Sequence, residues 1–143
     1  MPVTAPDIAR RTFLAALAVP LMAGIEQEAL DLFTDLASAL SEGNGQVFLD
    51  RIDHSMPDYD KLERNILALV AQNEIVAAID VLQNEGDSQT RAVQVDWLLQ
   101  IRAREQTGPL VRRRETVKCR LDRIKKKWKV SSLDPISLFA PPT

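Results

Sequence analysis

The chain has 143 residues, enough for one domain with its own core, and its 45% apolar and 27% charged residues are ordinary for a folded protein. A single cysteine, Cys119, excludes an internal disulfide and a cysteine-based metal cluster. The net charge of −2 hides a division: residues 1–90 carry 15 acids and 5 bases, and residues 91–143 carry 5 acids and 13 bases. The plain reading is one domain whose acidic and basic halves attract each other; the sharper one is a basic face for an anionic partner.

Residues 1–24 differ from the rest. Arg10 and Arg11 precede Thr12, Phe13 and Leu14, and the Ala-rich run Ala15 to Ala23 follows. Paired arginines, one residue, then Phe-Leu resemble a twin-arginine export signal, although Ala9 stands where Ser or Thr is usual and no Lys follows Leu14. As a helix the run would be about 20 Å long, too short for a hydrocarbon core of about 30 Å, so no transmembrane span is expected. Residues 1–24 therefore read as an export signal and residues 25–143 as the folded domain, periplasmic or secreted. The alternative is an ordinary amphipathic helix on a cytoplasmic protein.

Three helices come next. Glu26 to Ser41 places Ala29, Leu30, Phe33, Leu36, Ala37 and Leu40 on one face, with Glu26, Glu28 and Asp31 near its positive end and Gly43-Asn44-Gly45 as its stop. Gln46 to Asp53 predicts a short second helix with Val47, Phe48 and Ile52 inward, broken by His54-Ser55-Met56-Pro57. A third runs from about Asp58–Asp60 to Gln72, with Asp60 and Glu63 as a capping box and Leu62, Ile66, Leu69 and Val70 as its buried stripe.

The pattern then changes to a period of two. Ile75, Ala77, Ile79 and Val81 alternate with Val76, Ala78, Asp80 and Leu82, and Asn84 to Asp87 makes the turn. Arg91 to Arg104 is the clearest strand, with Val93, Val95, Trp97, Leu99 and Ile101 on one face, and is placed centrally in an antiparallel sheet. After Thr107-Gly108-Pro109, Leu110 to about Ile124 predicts a long strand. One of its faces holds Val111, Arg113, Glu115, Val117, Cys119 and Leu121; the other holds Arg112, Arg114, Thr116, Lys118 and Arg120. Lys125 to Lys127 reverses the chain, Trp128 and Val130 anchor a fourth strand, and Leu138 and Phe139 in the tail are available to pack.

Three helices followed by a long antiparallel meander ending in Trp128-Lys129-Val130, with Asp134-Pro135 and Phe139 close behind, resemble a nuclear transport factor 2-like domain. That cystatin-like α+β superfamily includes SnoaL-type polyketide cyclases, ketosteroid isomerases and scytalone dehydratases. The resemblance covers about Glu26 to Phe139. It implies a cone, in which about four curved antiparallel strands wrap the three helices around an apolar pocket, and it implies a homodimer formed through the sheet. It does not imply one chemistry, because the family shares a shape.

Ketosteroid isomerase-like members use an Asp base with a Tyr and a protonated Asp as donors. Those roles do not transfer: the only tyrosine, Tyr59, begins a helix. The remaining catalytic candidates are Asp53, the sole histidine His54, which could pair with Asp50 or Asp53, and Glu115. Ligand-binding candidates are Trp97 as an apolar wall, Arg113 and Glu115 as a polar floor, and Tyr59; an unpaired buried charge is costly, so Arg113 and Glu115 need partners. One histidine and one cysteine fall short of the several His or Cys ligands of the usual zinc sites, so no zinc is expected, and no cofactor motif is present. The run Arg123 to Lys129 has too few aromatic neighbours for a nucleic-acid platform. The sequence thus reads as a non-catalytic domain of the cell envelope that binds a small apolar or weakly acidic ligand or a protein partner. The alternative is a SnoaL-like isomerase, cyclase or dehydratase acting on a cyclic ketone, with Asp53 or Glu115 as base.

Overall fold

Helix α1 (Val19–Ser41) starts earlier than the expected Glu26 and runs through Gly24 without a break. Pro20 falls in its first turn, where a missing N–H costs nothing. Gly43, at φ 73°, turns the chain out of the helix. The structure, a computed structural model, describes residues 19–105 and 108–142; the twin-arginine positions Arg10 and Arg11 lie outside the described residues.

The buried stripe of α1 is Ile25, Ala29, Leu32, Phe33, Leu36, Ala39 and Leu40. Leu30 and Ala37, expected on that face, sit at its margin instead: Leu30 is exposed and Ala37 half-buried. The stripe is rotated toward Leu32 and Ala39. Helix α2 (Gly45–Asp50) is shorter than predicted. The Asn44 side chain accepts from Val47 N–H at 3.1 Å, a side-chain cap, and this register buries Phe48 and Leu49 while leaving Val47 exposed. Helix α3 (Tyr59–Gln72) buries the predicted Leu62, Ile66, Leu69 and Val70. Its predicted capping box fails. Asp58 is the N-cap, in the left-handed region at φ 62° and without a side-chain cap bond, so Asp60 lies inside the first turn.

Four strands follow, β1 (Asn73–Gly86), β2 (Thr90–Ala103), β3 (Val111–Ile124) and β4 (Lys127–Asp134), all antiparallel in the order β1-β2-β3-β4. The sheet is curved and unclosed, and the helices lie in its hollow. In β2 the alternation holds throughout: Val93, Val95, Trp97, Leu99 and Ile101 are buried. The β1–β2 hairpin needs Gly86, at φ 140°, where a Cβ would lie 2.3 Å from the Thr90 carbonyl oxygen. Asp87 then accepts from Gln89 N–H at 2.8 Å and Thr90 N–H at 2.9 Å. Arg91, on the inner phase of β2, is almost fully buried; it donates to the Asn84 side-chain oxygen at 2.6 Å and to the Asn84 and Asp87 carbonyls.

The two sheet edges differ. Beyond β4, the α2–α3 link adds one parallel bridge, Ile52 to Val130, in which Val130 N–H donates to the Arg51 carbonyl and Asp53 N–H to the Val130 carbonyl. At the other edge β1 meets no strand among the described residues. A 3-10 turn (Ile136–Phe139) brings the tail back over the hollow and buries Leu138 and Phe139. Of the ion pairs among the described residues, Arg123–Glu28 joins the acidic and basic halves, whereas Arg114–Asp96 and Arg120–Asp122 lie within the sheet and Arg51–Asp35 within the helices. Attraction between the halves is therefore a minor part of the packing.

Candidate functional site

The hollow of the sheet is centred on Trp97. Its ring meets Phe33 of α1 edge-on at 6.4 Å, Phe48 of α2 at 6.3 Å and Phe139 of the tail at 5.0 Å between centroids. Phe48 and Phe139 also meet at 5.6 Å. Except for the tilted Phe48–Trp97 pair these are edge-to-face contacts, a favoured geometry for aromatic rings, and all four rings are buried. The Trp97 indole N–H is buried without a hydrogen-bond partner. An unmet donor of that kind costs about 1–3 kcal/mol.

Arg113 and Glu115 share the inner strand phase with Trp97, since Leu99 pairs with Arg113 and Trp97 with Glu115. Arg113 is half-buried and donates to the Leu138 carbonyl at 2.8 Å and to the Ala140 carbonyl. It therefore latches the tail that carries Phe139 into the hollow. Glu115 is exposed. Strand β4 pairs with β3 only from Lys118 onward, so no β4 residue pairs beside Glu115.

A second locus lies at the start of α3. The His54 and Tyr59 rings stack at 4.6 Å, tilted by 34°. They border a shallow cavity of ≈ 550 Å³ with Met56, Asp60, Lys61 and Arg64. Burial, reinforced by the nearby carboxylates of Glu63, Asp50 and Asp60, pushes the Tyr59 hydroxyl above its ordinary range. Asp53 points elsewhere: its carboxylate accepts from Ser55 N–H at 3.0 Å and Ser55 Oγ at 2.8 Å. The structure thus brings His54 and Tyr59 together, and separately Trp97, Arg113 and Glu115, but leaves Asp53 in a local turn.

A third feature is a groove of ≈ 590 Å³ between α1 and β1. Leu30, Phe33 and Ala37 form one wall, and Ala77, Ile79 and Val81 the other. Its signal in the sequence was the coincidence of two apolar stripes, one on each element. That they would face a gap and not each other was not visible there. Among the described residues no three metal-ligating side chains converge, and no helix is long and apolar enough to cross a membrane.

No protein-family model and no curated protein matches this chain. Solved structures do match. A nuclear transport factor 2-like superfamily protein from Salmonella enterica serovar Typhimurium superposes with a TM-score of 0.65 at 8% identity, covering 78% of this chain and 89% of that one. A nuclear transport factor 2-like protein with a cystatin-like fold from Novosphingobium aromaticivorans gives 0.63 at 12% identity, covering 84% and 86%. A candidate dehydratase of the same family from Streptomyces avermitilis gives 0.63 at 14% identity, covering 78% and 94%. The fold is α+β and nuclear transport factor 2-like.

Proposed function

We propose that the chain is a non-catalytic binding domain of the bacterial cell envelope, exported by the twin-arginine route and dimeric through the outer face of its sheet. It takes up a small apolar or weakly acidic molecule or a protein partner. The observation that supports binding over turnover is the occupied hollow: Phe139, latched through Arg113, lies on Trp97 where an enclosed substrate would sit. The acids offered as bases do not converge there, since Asp53 is engaged by Ser55 and Glu115 is exposed. The outer sheet face carries the exposed Val76 and Leu82 on β1 and, across β2, the basic row Arg112, Arg114, Lys118 and Arg120 on β3. That row opposes close self-packing, so any dimer must set it against acids.

One observation favours the enzymatic reading. The unpartnered Trp97 N–H could donate to a ketone or carboxylate oxygen, and Glu115 lies opposite Trp97 in the strand register. Neighbours in structure include a candidate dehydratase and a candidate scytalone dehydratase. The test is titration with cyclic ketones and apolar carboxylates, followed by tryptophan fluorescence, with product analysis in parallel. Binding without conversion is expected. Conversion that disappears in Glu115→Gln would establish the enzyme instead.

A further inference from the structure

The α1–β1 groove sits beside a strand edge whose hydrogen-bonding phase is fixed. Ala77 N–H donates to Ser41 Oγ at 3.0 Å, so it points away from β2 and toward α1. The other end of the strand agrees: the Gln72 carbonyl accepts from Arg104 N–H, which places the even-numbered residues toward β2. The N–H and carbonyl of Ile79 and the N–H of Val81 therefore point outward, just ahead of the β-bulge between Val81 and Gln83, and among the described residues no strand lies beyond them. Their side chains are half-buried and help to floor the groove. An edge with a free ladder above a trough that mixes Leu30, Ala37, Ile79 and Val81 with Thr34, Ser38 and Glu42 is a template for an added strand.

Charge selects the occupant. Helix α1 and Glu42 supply Glu26, Glu28, Asp31, Asp35 and Glu42, and β1 supplies Glu74, Asp80 and Glu85, while neither element contains a Lys or Arg. Glu28 is paired with Arg123 and Asp35 with Arg51; Glu42 and Asp80 border the groove, Asp80 from the outer strand phase, where Arg114 is the nearby cation. A second copy presenting the same edge would set acid against acid. We propose that the groove receives an extended segment of a partner protein that carries alternating small apolar side chains flanked by lysine or arginine, added to β1 as a fifth strand. The idea rests on the binding-domain reading above and names the partner's chemistry.

The test uses the full chain labelled with nitrogen-15 and a synthetic peptide of three Val-Thr repeats with two lysines at each end. Amide exchange at Ile79 and Val81 should slow more than tenfold on saturation. A matched peptide with glutamates in place of the lysines should bind at least roughly tenfold more weakly, a difference of about 1.4 kcal/mol. Ile79→Pro removes an outward N–H without touching the β1–β2 ladder and should weaken binding to the same degree. Reversing both Glu42 and Asp80 to Lys should swap the preference between the two peptides, which keeps the test sound if the proline variant does not fold. Equal binding of both peptides, binding without protection of Ile79 and Val81, or no binding of either overturns the proposal. So does protection already present in the free chain that is lost on deleting residues 1–18, or that rises with protein concentration; the occupant would then be the chain's own leader or a second copy. Each of these leaves the binding-domain reading intact, whereas turnover of a ketone overturns that reading alone.

Discussion

Truncating Phe139 to alanine probes the closure of the hollow. The ring is fully buried and meets Trp97 and Phe48 at 5.0 and 5.6 Å. Its area and edge contacts place the loss at about 4 kcal/mol, within the usual range for buried Phe→Ala. For a chain of this length that lowers Tm by roughly 10 °C. Arg113→Ala removes two charged-donor bonds to the tail and, being half-buried, should cost about 2 kcal/mol. Both residues hold the same short segment. Once either is lost the tail detaches, and the second substitution has less left to remove. The double variant should therefore fall short of additivity by at least about 1 kcal/mol. Urea unfolding followed by the fluorescence of Trp97 and Trp128 measures all three. Strict additivity, or a Phe139→Ala loss below about 1 kcal/mol, would show that the tail does not close the hollow.

Three further outcomes are expected. Replacing Arg10 and Arg11 by Lys should trap the precursor inside the cell, seen as an uncleaved band in fractionated cells; unchanged export discards the signal. The Asp122 carboxyl accepts from Ser131, and from Thr90 at 2.7 Å, and these bonds, with Arg120 beside it, hold its pKa below the usual range. A carboxyl lowered in the folded state contributes stability above its unfolded pKa of about 4 and loses it as pH falls through the folded value. Asp122→Asn should thus lower Tm at pH 7 and flatten its fall below about pH 4; parallel curves for variant and parent would contradict this. Burial pushes the Cys119 thiol up to about 12, so iodoacetamide at pH 8 should label the unfolded chain and spare the native one, as read by mass spectrometry.

Much of this fold was legible because strand alternation is local. Val93 to Ile101 declared their face within ten residues, and every one of those odd positions is buried. The same rule misled at Glu115, whose inner phase is correct but whose neighbourhood lacks the β4 residues that would cover it. Leu30 and Ala37 are a similar case: helical spacing gives a stripe, but its centre depends on where the sheet ends. The contacts that shape the candidate site were out of reach for another reason. Arg113 binds backbone carbonyls, which carry no sequence identity, and Ser41 reaches Ala77 across 36 residues.

One flank of the sheet is stitched to the Arg51–Asp53 link through Val130, and among the described residues no strand pairs with the opposite flank, β1. A sheet with two free flanks can polymerise, each added chain exposing the next docking point. Here the backbone of Arg51 and Asp53 already occupies the middle of the far flank at Val130, so a strand added to β1 would not recreate the same open edge on the other side of the sheet.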